Sequence, residues 1–159
     1  MDLADAIKNS CNIYFYKLGQ RMGIDPIARA AGRLGLGRPT GIDLVGEKDG
    51  LVPSSEWKMK ALKEIWYPGE TVSVAIGQGQ LQVTPLQVAV LTALVARRGR
   101  QMAPPRLLLA EGLPEDGGTA NAAGGEPQFK ASEFESVIAG MWMSANDGGT
   151  GTGARVEGF

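Results

Sequence analysis

Residues 84–99 read TPLQVAVLTALVARRG. Thr84 followed by Pro85 is a helix start, because a threonine oxygen caps the first free N–H groups and proline has no N–H to lose in the first turn. Arg97 and Arg98 sit at the negative end of the helix dipole, and Gly99 stops the run. Between these signals nearly every residue is apolar, on all sides of the helix. Such a helix belongs in the middle of a larger body, covered on more than one face.

What could cover it is sought in the rest of the chain. The 159 residues are one domain's worth and enough for a sizeable core. Ala4, Ile7, Cys11, Phe15 and Leu18 recur at spacings of three and four and form an amphipathic stripe. Asp25-Pro26 opens a short helix with Ile27, Ala30, Ala31 and Leu34 on one face, stopped by Gly35-Leu36-Gly37. Residues 38–53, with Lys48-Asp49-Gly50 as a turn signal, read as an ordered loop or small hairpin. Ser54 or Ser55 caps a helix to about Lys63, and Thr71 to Ile76 alternates with period two, which predicts a strand. Ser132-Glu133-Phe134-Glu135 reads as a capping box, with Val137, Ile138, Met141, Trp142 and Ala145 on the buried face behind it. Residues 110–131 are rich in Gly, Ala, Glu and Pro and read as a mobile surface loop within one domain. The closing stretch has too little apolar content to anchor itself. Several helices therefore have wide apolar faces but at most one or two short strands to cover, whereas a layered domain would supply a sheet. The expectation is a mainly α-helical piece of a larger α+β fold whose sheet lies outside these residues.

Composition limits the chemistry. There is no histidine, which removes Ser/His and Cys/His nucleophile pairs and imidazole metal sites, and one cysteine makes neither an internal disulfide nor a thiolate cage. A serine nucleophile would need lysine as its base. A formal charge of −1 gives no reason to expect nucleic acid or an anionic membrane as partner. No apolar run reaches the roughly 20 residues that span a bilayer, so these residues are expected to be soluble or cut from something larger.

The stretch NSCNIYFYKLG, residues 9–19, places Ser10 and Asn12 one residue apart at the edge of an apolar run. Taken alone it could be a helix cap. It is followed in order by LGLGRPTGIDL (34–44), GLVPSSEWK (50–58), WYPGETVSVAIGQG (66–79) and VTPLQ (83–87). That ordered set resembles the transpeptidase domain of class B penicillin-binding proteins, of the elongation type, densely to about residue 109 and more loosely over 132–153. The S-x-x-K, S-D-N and K-T-G motifs are the established signature of this superfamily.

The resemblance implies the α+β penicillin-binding protein/β-lactamase-like fold and a peptidoglycan D,D-transpeptidase that passes stem peptides through a serine acyl-enzyme and is acylated by β-lactams. Ser10 and Asn12 match the middle motif: the serine relays a proton and the asparagine holds the donor peptide. Cys11 between them is a small neighbour of the substrate site. The nucleophile and the K-T-G strand are expected outside this chain, so these residues alone are expected to be inactive. No metal or organic cofactor is implied. Stem peptides, β-lactams, a glycan polymerase and cell-shape proteins are the implied partners, at the periplasmic face of the inner membrane, with the anchor not in this chain. A helical interaction module, a penicillin-sensing receptor and a β-lactamase-like hydrolase remain open alternatives.

One geometric consequence follows. Residues two apart on an α-helix point about 200° apart, so Ser10 and Asn12 cannot both face a cleft from a regular helix. The stripe must break near Asn9, with the polar pair at the join. Two look-alikes compete. Ser55-Glu56-Trp57-Lys58 spells S-x-x-K, but it follows S-x-N instead of preceding it, and a cap with a solvated lysine accounts for it. Gly149-Thr150-Gly151 resembles K-T-G without the lysine. Trp57, Trp66, Tyr67 and Trp142 read as packing groups, and Gly77-Gln78-Gly79 as tight backbone before the apolar helix. The uncovered Thr84–Arg98 helix predicts self-association.

Overall fold

A computed structural model describes residues 1–100, 102–107 and 129–157. Most of the loop expected over 110–131 lies outside the described residues. Among the described residues seven helices are seen: α1 (Leu3–Lys8), α2 (Asn12–Met22), α3 (Ile24–Arg33), α4 (Ser55–Leu62), α5 (Pro68–Val74), α6 (Pro85–Ala96) and α7 (Ser132–Asn146), followed by a 3-10 turn at Thr152–Ala154. Among the described residues the β-structure is a single antiparallel bridge between Leu51 and Gln82.

The predicted strand at 71–76 is helix α5 instead. Pro68 is pre-set for a first turn, and the Glu70 carboxylate accepts the Tyr67 N–H at 2.8 Å, so the helix is started by local chemistry that the alternation hides. Thr71 and Val74, three apart, are the residues it buries. Helix α3 begins at Ile24, ahead of the expected Asp25 cap. Asp25 instead accepts the Ser55 N–H and hydroxyl, tying α3 to the start of α4. Helix α7 has Ala131 at its cap position rather than a Ser132 box; Glu133 accepts the Lys130 N–H. Its buried residues are Phe134 and Gly140, while Met141 and Trp142 are exposed.

Helix α1 lies against α7, and the close approach depends on glycine. A Cβ at Gly140 would stand 2.8 Å from the Ile7 Cβ and 2.9 Å from the Ala4 carbonyl. Gly19 of α2 does the same against α5, where a Cβ would meet Ala75 at 2.6 Å. The apolar α6 starts as expected, with Thr84 Oγ1 accepting the Gln87 N–H and the Gln87 side chain accepting the Thr84 N–H. Gln87 also donates to the Arg38 and Asp49 carbonyls at 2.8 and 2.7 Å, pinning the 38–50 loop to the helix. It is the one residue of α6 that is fully buried.

Candidate active site

The amphipathic stripe of residues 4–18 is cut in two at the predicted place. Helix α1 ends at Lys8, α2 starts at Asn12, and Ser10 stands between them with φ +49°. The break is a Schellman turn: the Ser10 N–H donates to the Ile7 carbonyl at 3.1 Å and the Cys11 N–H to the Ala6 carbonyl at 2.9 Å. Helix α3 closes through the same pair of bonds, Gly35 to Gly32 and Leu36 to Ala31, with glycine at the positive-φ position. An L side chain there costs about 1–2 kcal/mol. At Ser10 the turn carries a hydroxyl where glycine would serve the backbone better.

Ser10 and Asn12 are both exposed, and Cys11 between them is half-buried. Among the described residues the Asn12 amide has no hydrogen-bond partner, so both its donors and its carbonyl are open to a ligand. The Ser10 hydroxyl does have one: Ser10 Oγ and Thr150 Oγ1 are 2.7 Å apart. No local signal announces this contact, because 140 positions separate the two and Thr150 stands in a stretch expected to be unanchored. That stretch is in fact tied down. The Thr150 N–H donates to the Lys8 carbonyl at 3.0 Å, the Gly151 N–H to the Ser144 carbonyl at 3.1 Å, and the Lys8 ammonium to Asp147 at 2.7 Å.

The S-x-x-K look-alike is taken apart by its contacts. The Ser55 hydroxyl gives its proton to Asp25, with oxygens at 2.8 and 2.6 Å, and these bonds hold the Asp25 carboxyl below its usual range. Lys58 is not solvated: its side chain is 3% exposed, and its ammonium contacts both Glu70 oxygens at 2.8 Å and Glu64 at 3.4 Å. The hydrogen bond to Glu70 outweighs burial and pushes the lysine pKa up. A general base must be able to shed its proton, and Lys58 is held charged. Its ammonium also stands 4.9 Å from the Tyr67 ring centre. Residues 55–58 therefore form a structural clasp.

The family model for the penicillin-binding protein transpeptidase domain matches residues 1–159. The peptidoglycan D,D-transpeptidase MrdA of Acinetobacter baumannii is 38% identical over 156 residues, 98% of this chain and 23% of that protein. Among solved structures, Pseudomonas aeruginosa PBP2 in complex with WCK 5153 superposes with a TM-score of 0.79 at 36% identity, over 94% of this chain and 32% of that one. Helicobacter pylori PBP2, in a complex with MreC, gives a TM-score of 0.77 at 32% identity, over 93% of this chain and 26% of that one. The chain thus spans about a quarter of the length of the A. baumannii protein.

Proposed function

Because the chain belongs to the penicillin-binding protein transpeptidase family, we propose that it forms the S-x-N wall of a peptidoglycan D,D-transpeptidase whose nucleophilic serine, lysine base and K-T-G edge come from outside these 159 residues. The observation that carries this reading is the break between α1 and α2, which leaves the Ser10 hydroxyl and the Asn12 amide both exposed at one turn.

The roles follow from the chemistry of acyl transfer. The external serine attacks the D-Ala-D-Ala carbonyl and gives its proton to the lysine; the new C–O bond forms as the C–N bond breaks, and the departing amine must be protonated. Ser10 Oγ accepts a proton from that lysine ammonium and passes its own to the amine nitrogen. The acceptor amine then attacks the ester and returns a proton along the same path. Asn12 holds the donor peptide through its amide, and Cys11 backs it. The same wall receives a β-lactam. A glycan polymerase and cell-shape proteins are the proposed partners, and the outer face of the bacterial inner membrane the proposed site. The resemblance supports this, and the H. pylori PBP2 complex with MreC supports a protein partner. No helix of the described residues is long and apolar enough to cross a membrane.

The test is intact-mass spectrometry after incubation with penicillin. These 159 residues alone should gain no adduct. The A. baumannii relative with its matching segment replaced by residues 1–159 should gain one, and Ser10→Ala in that chimera should slow its formation roughly 100-fold. An adduct on the 159-residue chain that disappears with Ser55→Ala would overturn the assignment. A folded chimera that takes up no penicillin would favour a binding module without chemistry.

A further inference from the structure

We infer that Thr150 is the positioning residue for Ser10: its hydroxyl fixes the Ser10 hydroxyl and exchanges hydrogen-bond direction with it during proton relay. This rests on Ser10 being the relay. A helix leaves its last four carbonyls without partners. In α1 three are met locally, Asp5 by the Asn9 N–H, Ala6 by the Cys11 N–H and Ile7 by the Ser10 N–H. The fourth, Lys8, is met by the Thr150 N–H at 3.0 Å. That bond brings residue 150 to the turn that carries Ser10.

Its neighbours leave it little freedom. A Cβ at Gly149 would stand 2.5 Å from the Ser144 Cα and 2.6 Å from the Lys8 carbonyl, so glycine is what lets the loop pass between α1 and α7. On the other side the Gly151 N–H reaches both the backbone and side-chain oxygens of Ser144 at 3.1 Å. The Thr150 side chain is thus presented from fixed backbone, with Oγ1 2.7 Å from Ser10 Oγ and 3.4 Å from the Lys8 carbonyl.

Those two distances define two states. With the Thr150 proton turned to the Lys8 carbonyl, Ser10 donates to Thr150, its proton is held inward and its lone pairs are free to accept. With the Thr150 proton turned to Ser10, the serine proton is released outward to the departing amine as Ser10 takes a proton from the lysine ammonium. Thr150 keeps its own proton throughout, so only hydrogen bonds are exchanged and the transfer balances on Ser10. A bare hydroxyl in an open turn would instead be oriented by water.

The experiment uses the full-length chimera described above, with penicillin acylation rate as the readout and thermal melting as the check on folding. Thr150→Val keeps the branched shape and the backbone bond to Lys8 but removes the hydroxyl; it should slow acylation about tenfold, the scale of one hydrogen bond. Thr150→Ser should restore it. In a Ser10→Ala background Thr150→Val should cost nothing further, because the group it positions is gone. If Thr150→Val melts below the assay temperature, Thr150→Ala, which adds no bulk, takes its place. Equal rates for Thr150→Val and the unaltered chimera, or losses that multiply with Ser10→Ala, would overturn the inference while leaving the relay intact. No effect of Ser10→Ala itself would instead overturn the functional reading on which it rests.

Discussion

At Ser10 the backbone and the side chain favour different residues. The Schellman turn favours glycine, as α3 has at Gly35, yet the proposed relay needs an oxygen. The two demands can be separated by comparing substitutions that both lose the hydroxyl. Ser10→Gly should be more stable than Ser10→Ala by about 1 kcal/mol, since only alanine keeps a Cβ at positive φ. In the chimera both should acylate equally slowly. Chemical denaturation of the two variants, side by side with acylation rates, reads this directly; equal stabilities would mean that the turn relaxes. Part of this residue's story was legible in the sequence, because once the resemblance asks Ser10 and Asn12 to face one cleft, their separation of about 200° on a helix requires a break. Its partner was not: nothing local to Gly149-Thr150-Gly151 says that the segment will meet a carbonyl at the end of α1. Lys58 was misread for a related reason. Its burial depends on Glu70, twelve positions on and across a turn, and sequence spacing alone cannot bring the two together.

Helix α5 shows how a short element can be decided by its ends. Its β-branched alternation over 71–76 suits a strand, but the free N–H of Tyr67 is met by the Glu70 carboxylate, which a strand would leave elsewhere. The same carboxylate closes on Lys58 of α4, so one side chain both caps α5 and joins it to its neighbour. Hydrogen bonds from Lys58 and from the Tyr67 backbone hold the Glu70 pKa below its ordinary value. A lowered folded pKa contributes stability above the unfolded carboxylate value, about 4.3, and that contribution is lost as pH falls through the lowered folded value. The lysine runs the other way: its raised pKa contributes stability that is lost only as pH climbs through the raised value. Glu70→Gln should therefore lower the melting temperature near neutral pH and flatten its fall below about pH 4.3. Glu56→Gln, at an exposed i,i+4 pair with Lys60, should change neither. Melting curves across pH for the two variants check this, and an unaltered acid limb in Glu70→Gln would remove the clasp from the account of acid stability.

For the whole molecule the decisive comparison is between what α6 asks for and what it receives. Its sequence is apolar on every side, but its only fully buried residue is the polar Gln87, and Val88 remains 45% exposed. Across the described residues the buried apolar core is small, with Ala6, Ile24, Val74 and Phe134 as its side chains. This was legible in the composition of 84–99: a helix of that kind without a sheet is a helix without its cover. What was not legible is how the remaining helices hold together regardless, through glycine contacts at Gly19 and Gly140 and polar pins such as Gln87, none of which leaves a periodic signal. Apolar surface left open in water drives association. The 159-residue chain should accordingly form dimers or larger species whose mass rises with concentration in light scattering. Val88→Lys, which puts a charge on the uncovered face of α6, should weaken that association, whereas Val45→Lys, at a fully exposed loop position, should not. In the full-length chimera the helix regains the sheet that the fold supplies, and the same Val88→Lys should cost stability there instead of altering the mass. A compact monomer over a broad concentration range would mean that the open faces of α6 are closed by these residues themselves, and that the chain needs no outside cover.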